Sequence, residues 1–157
     1  MKTKPKKIIC AVDFSPLSDN LVTYAAGLRP YDAELTLLYI EKEGKRTLNM
    51  LHNRLHAFSR YSELLVQANR SARFAVECGD PAAEILAYAD RVHADLLLLG
   101  SHGSTAFTRL LMGNTAETVL RRAACPIAIY KVPDRRTPAR KRQEATTLLL
   151  KDNKQTA

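Results

Sequence analysis

The chain alternates short apolar runs, too brief to be helices, with longer segments in which apolar residues recur every three or four positions. The runs "KKIICAVD", "AELTLLYI", "RFAVEC", "DLLLLG" and "PIAIYKV" are mostly continuous rather than alternating, the mark of strands buried on both faces. Between them the helical segments carry their own start signals. Ser15 can cap a helix whose first residue is Pro16, and Leu17, Leu21, Ala25 and Leu28 then share a face. From about Arg46 to Asn69 the recurrence of Leu48, Leu51, Leu55, Phe58 and Leu65 predicts the longest helix. Asp80 and Pro81 open a third, with Ala82, Ile85, Leu86, Ala89 and Val92 as its apolar stripe, and Asn114 to Ala124 form a fourth. Strands and helices in this order build an open, doubly wound α/β sheet, because right-handed crossovers place helices on both faces. Such sheets bind ligands beyond the carboxyl ends of their strands, where the strand order reverses. Those ends here carry Asp13, Ile40, Gly79 and Gly100.

Length and composition fit one soluble domain: 157 residues, 46% hydrophobic and 25% charged. No run approaches the roughly 18 apolar residues of a membrane span. The basic start "MKTKPKKIICAVDFS" has an apolar part confined to Ile8–Val12, which reads as a first strand rather than a signal-peptide core. Cys10, Cys78 and Cys125 are odd in number and form no CxxC pair, so they are expected to be reduced, strand-associated thiols of a cytoplasmic protein. The net charge of +8 is divided evenly. Beyond Pro133 seven basic residues outnumber three acidic ones, and the remaining excess forms no basic stripe interleaved with aromatics. A domain over residues 1–133 and a basic, mostly disordered tail over 134–157 are expected, with no nucleic-acid partner.

Three of the six glycines, Gly100, Gly103 and Gly113, fall in "GSHGSTAFTRLLMGNTAETVL". A strand that empties into glycines allows backbone N–H groups to approach a ligand closely. The first turn of the helix that follows, Asn114, Thr115 and Ala116, offers unpaired N–H groups and the positive end of a helix dipole, which suit phosphate. The intervening "STAFTRLLM" would form a flap or short helix tethered by Phe107, Leu110 and Leu111. Residue pattern alone is equally consistent with glycines that simply make turns. Asp13 has the same two sides: it can cap the helix near Ser15, or accept hydrogen bonds from ribose hydroxyls or an adenine amino group. Asn114 can donate its amide to a phosphate, or combine with Glu117 in a capping box. The Walker A, GxGxxG and G-x-S-x-G patterns are absent, and Ser101 beside His102 is not placed for base activation. His52 and His56, four apart in "HNRLH", could share a metal, but Asn53 stands where a zinc protease has glutamate, and a solvated helix face is the simpler reading.

With these residues in place the chain resembles the universal stress proteins from Lys6 to Pro133. The nucleotide-binding members share Gly, two residues, Gly, nine residues, Gly, then Ser or Thr; here the pattern ends in Asn114. "AVDFS", "LTLLYI", "GDPAAEI" and "AACPIAIYKV" support it. The resemblance implies a five-stranded Rossmann-like parallel sheet in the order 3-2-1-4-5, a homodimer through the last strand, and ATP, with or without Mg2+, as ligand. Ala11, Asp13 and Ile40 would line the adenosine site, with Leu99 and Gly100 at its floor. Gly103, Gly113, Asn114 and Thr115 would hold ribose and phosphates.

The expected function is therefore that of an ATP-binding stress-response regulator rather than an enzyme, with an unidentified protein partner. The alternative is a nucleotide-free dimeric adaptor of the same fold.

Overall fold

A computed structural model describes residues 4–28, 30, 32–44, 48–101 and 112–131. The elements in chain order are β1 (Lys7–Val12), α1 (Pro16–Ala26), β2 (Glu34–Glu41), α2 (Leu48–Gln67), β3 (Arg73–Cys78), α3 (Pro81–Val92), β4 (Leu96–Gly100), α4 (Asn114–Arg122) and β5 (Ile127–Tyr130). The strands form one sheet in the order β3-β2-β1-β4-β5, and every adjacent pair is parallel. The expected sheet order and elements are present, with element ends shifted by one or two residues.

Two apolar layers flank the sheet. On one face Ile8, Cys10, Leu35, Leu37 and Leu98 pack against Leu21, Val22 and Ala25 of α1 and Tyr61 and Leu65 of α2. On the other, Ile9, Leu38, Leu97, Leu99 and Ile127 pack against Ile85 and Ala89 of α3 and Ala116 and Val119 of α4. This division follows from handedness. The chain steps from β1 to β2 to β3 in one direction, then returns past β1 to β4 and β5 in the other, so right-handed crossovers put α1 and α2 on one face and α3 and α4 on the opposite one. The strand order therefore reverses between β1 and β4.

Local chemistry sets the helix starts. Ser15 caps α1 by accepting the Ser18 N–H through Oγ at 3.4 Å, and Asp80 caps α3 by accepting the Ala83 N–H at 3.0 Å. Pro16 and Pro81 occupy first-turn positions that need no donor. At the amino ends of the strands, one Asp95 carboxylate oxygen accepts the N–H groups of Lys6 and Lys7 at 2.9 and 2.8 Å. Cys10 is fully buried, which pushes its thiol well above the ordinary range. Cys78 ends β3 and Cys125 lies in the connection before β5, so only two of the three thiols are within strands. All three cysteines are free.

The apolar recurrence of the longest helix divides into two neighbouring stripes. Tyr61 and Leu65 are buried and Phe58 packs against the same core. Leu48 and Leu55, by contrast, are 85% and 71% exposed. The cause is the position of β3 at the sheet edge: among the described residues no strand lies beyond it to support the second stripe. The basic tail, residues 134–157, lies outside the described residues. Leu65→Ala is expected to cost roughly 2–5 kcal/mol in urea denaturation, and Leu48→Ala under about 0.5 kcal/mol, although both delete the same atoms from the same helix.

Candidate functional site

The carboxyl ends of β1 and β4 meet the start of α4 where the strand order reverses, and the residues there are positioned by hydrogen bonds rather than by packing alone. Asp13 directly follows β1. Its Oδ1 accepts the Ser15 N–H at 3.0 Å and the Ser18 hydroxyl at 2.8 Å, while its own N–H donates to Ser18 Oγ at 3.0 Å. Of the two roles open to this carboxylate, helix capping is thus realised. Its half-buried position just beyond β1, where the strand order reverses, is compatible with the second.

Phe14 fixes the turn out of β1. Its φ of 63° is left-handed, a conformation that costs a bulky residue about 1–2 kcal/mol. The ring offsets this cost by packing 4.4 Å from the Tyr39 ring, 5.2 Å from Phe58 and 5.8 Å from Tyr61. No sequence signal marks Phe14, because phenylalanine favours no such turn. Tyr39 is half-buried beside the Glu41–Arg54 ion pair, and burial raises its phenol above the ordinary range, so it remains a neutral donor at physiological pH.

The glycine loop is tied at its base. Ser101, 6% exposed, donates its N–H to the Tyr130 carbonyl at 2.8 Å and accepts the Gly113 N–H through its own carbonyl at 2.7 Å. Ser101 and Gly113 are therefore joined directly just beyond β4. Gly103, Phe107, Leu110 and Leu111 lie outside the described residues.

Gly113, not Asn114, is the N-cap of α4. Asn114 is the first helical residue rather than the cap, so Glu117 stands at the fourth helical position instead of the third that a capping box requires. Its carboxylate instead pairs with Arg121 on the helix surface at 2.8 Å. The capping-box alternative is overturned for this reason. The first intrahelical bond runs from the Glu117 N–H to the Gly113 carbonyl at 3.0 Å, leaving the N–H groups of Asn114, Thr115 and Ala116 without intrahelical acceptors. A glycine cap has no side chain to satisfy them. Asn114 is exposed and Thr115 half-buried, so both side chains border the same end.

The apolar wall lies on the α3–α4 face. Ile40 and Leu99 are buried there, in one cluster with Ala116, and Ala11 and Met112 pack against it. Gly100 pairs with Tyr130 at the end of β4. The structure thus gathers Ala11, Asp13, Ile40, Leu99, Gly100, Gly113, Asn114 and Thr115 at the carboxyl end of the sheet, and adds Ser18 and Phe14, which the sequence did not single out as site residues, and Ser101, which it weighed only as a nucleophile. Ser18 had a faint signal, three residues after a capping serine.

A cleft of about 260 Å3 occupies the opposite end, lined in part by Lys7, Glu34, Tyr88, Arg91 and His93. Its cations are engaged: Lys7 Nζ donates to the Val92 carbonyl at 3.0 Å, and Arg91 pairs with Glu77. The cleft also faces the carboxyl end of α3, whose carbonyls disfavour anions. His52 and His56 lie on α2 with ring centroids 6.0 Å apart, and among the described residues no group of three metal-ligating side chains occurs. Among the same residues no helix is long and apolar enough to cross a membrane.

Parallel sheet order, helices on both faces and a strand order that reverses between β1 and β4 define a Rossmann-like α/β protein. The chain belongs to the universal stress protein family, matching it over residues 4–131. It is 27% identical over 141 residues to a universal stress protein of Methanocaldococcus jannaschii, an alignment covering 82% of this chain and 83% of the relative. The same fold occurs in a universal stress protein in complex with cAMP, at a TM-score of 0.66 and 19% identity, covering 82% of this chain and 98% of that one. It occurs also in an Archaeoglobus fulgidus universal stress protein in complex with dAMP, at a TM-score of 0.62 and 17% identity, covering 78% and 95%.

Ser18→Ala removes both hydrogen bonds between the Ser18 hydroxyl and Asp13. Urea denaturation should show a loss of about 2 kcal/mol, against about 1 kcal/mol for Ser15→Ala, which removes only a cap.

Proposed function

We propose that this chain binds an adenine nucleotide, ATP with or without Mg2+, as a regulatory ligand in a cytoplasmic stress response. The observation that carries the reading is the uncapped amino end of α4: a glycine cap, three first-turn N–H groups without intrahelical acceptors, and the helix dipole aimed into the crevice. The phosphates would lie against Gly113, Asn114 and Thr115, with Gly103 contributing from the loop. The adenosine would lie over Ile40, Leu99 and Gly100 beside Ala11, within reach of Asp13. Family members with this fold in complex with cAMP and dAMP support an adenine nucleotide as the ligand class.

Asn114 in place of a hydroxyl residue changes one contact rather than the site. As the first helical residue it lends its own N–H to the phosphates, and its amide N–H2 can donate as well. The reading makes the nucleotide a ligand whose occupancy alters contacts, not a substrate that is turned over. It also includes a homodimer through β5, beyond which no further strand lies among the described residues, and a protein partner that responds to nucleotide occupancy. The competing reading, a nucleotide-free adaptor, draws on the engagement of Asp13 in the α1 cap.

Calorimetry separates the two. ATP at about a hundred times its Kd is expected to stabilise the protein by about 2.7 kcal/mol and to raise Tm by roughly 5–10 °C, with no comparable effect from GTP. Gly113→Val should abolish the shift and leave the fold intact, because φ −65° and ψ 154° are open to valine while its branched side chain crowds the first-turn N–H groups. A Gly113→Val protein that keeps the ATP shift would falsify the phosphate cradle.

A further inference from the structure

The outer edge of β3 and the flank of α2 above it form a surface that the nucleotide reading does not use. β3 is six residues long and lies at the end of the sheet. It contains neither proline nor lysine, two of the devices that shield edge strands from pairing. On the α2 side of the sheet, Phe74 and Val76 are 41% and 47% exposed, and Phe74 packs edge-on against Phe58 at 5.0 Å. Leu51, Leu55 and Val66, all exposed, continue the apolar surface along α2.

The backbone of this edge has a definite phase. The Gly79 N–H donates to the Glu41 carbonyl. In a parallel ladder alternate residues turn both main-chain groups to the same neighbour, so the odd-numbered residues of β3 face β2, and Phe74, Val76 and Cys78 direct their N–H and C=O groups outward. An antiparallel partner strand must meet outward residues with outward residues.

The sequence of β3 complements itself under that rule. A two-fold axis through Ala75 sets Phe74 opposite Val76 as a hydrogen-bonded pair on the α2 side. On the α3 side it sets Arg73 opposite Glu77 twice. Within one chain Arg73 already lies 3.5 Å from Glu34, and Glu77 pairs with Arg91. The axis would therefore join two ion pairs into an alternating row, Glu34, Arg73, Glu77, Arg91, with the third and fourth from the second copy. Moving the register by two residues would set Ala75 opposite Glu77 and lose both charge contacts.

We propose that the β3 edge is a self-complementary interface that takes a second copy of this chain, paired antiparallel about Ala75, with the apolar flank of α2 closing over the joint. The apolar pairs supply attraction and the charge pairs fix the register. This interface lies at the opposite end of the sheet from β5, so a chain using both edges would assemble beyond a dimer.

Cross-linking and charge exchange test it in the full-length protein. Directly opposed residues of a non-hydrogen-bonded pair have Cα atoms about 4.5 Å apart, within disulfide range. Ala75→Cys in a Cys78→Ser background is expected to form a covalent dimer under mild oxidation, and Cys78→Ser alone is not. Arg73→Glu and Glu77→Arg each place like charges opposite each other twice, and each should weaken association about tenfold in sedimentation equilibrium. An equal mixture of the two variants restores opposite charges at both contacts and should recover the association of the unmodified chain. The mixture guards against simple misfolding, since a variant that had lost its structure would not be rescued by another. A folded Ala75→Cys protein that does not cross-link, together with sedimentation unchanged by either charge variant, overturns the proposal and assigns the flank to another occupant, such as this chain's own tail or a different protein.

Discussion

The burial of β1 on both faces and both edges is the constraint on which the rest depends. Its neighbours β2 and β4 are both parallel to it, so each must be reached by a crossover, and crossovers in such sheets are right-handed. Stepping outward in one direction places α1 and α2 over one face of β1; returning in the other places α3 and α4 over the opposite face. Among the described residues no helix covers the point at which the two directions part. The crevice at the carboxyl ends of β1 and β4 is thus a consequence of winding a parallel sheet both ways around a central strand, and the residues just beyond those ends inherit the site.

Much of this was legible in the sequence because its causes are local. Strands buried on both faces read as continuous apolar runs, and Ser15 and Asp80 cap helices by reaching only three residues ahead. The parts that were not legible depend on distant neighbours. The leucines of α2 keep helical spacing whether or not a strand lies below them, so Leu48 and Leu55 announced a helix without revealing that the sheet ends before it can bury them. The left-handed turn at Phe14 is held by Tyr39, Phe58 and Tyr61, which come from two other elements.

The start of α4 shows how fine the margin is at a candidate site. Asn114 and Glu117 have the spacing of a capping box, and a helix beginning one residue later would have made one. With Gly113 as the cap, the same residues take different roles: Glu117 turns to Arg121 on the surface and the first-turn donors remain without a side-chain partner. Spacing could define both arrangements, but only the helix phase selects between them. The Gly113 N–H bonds the Ser101 carbonyl, which holds the start of the helix beside the end of β4.

That single bond also makes the placement of the helix start independent of the chain that leads up to it. Because Ser101 and Gly113 are joined directly, their relative placement does not depend on how much chain separates them in sequence, and the entropy of closing a segment between two such anchors grows only with the logarithm of its length, about 0.6 kcal/mol for each doubling. Residues can therefore be added, removed or exchanged between the two anchors at little expense to the sheet. The bond itself holds the start of α4 beside the end of β4.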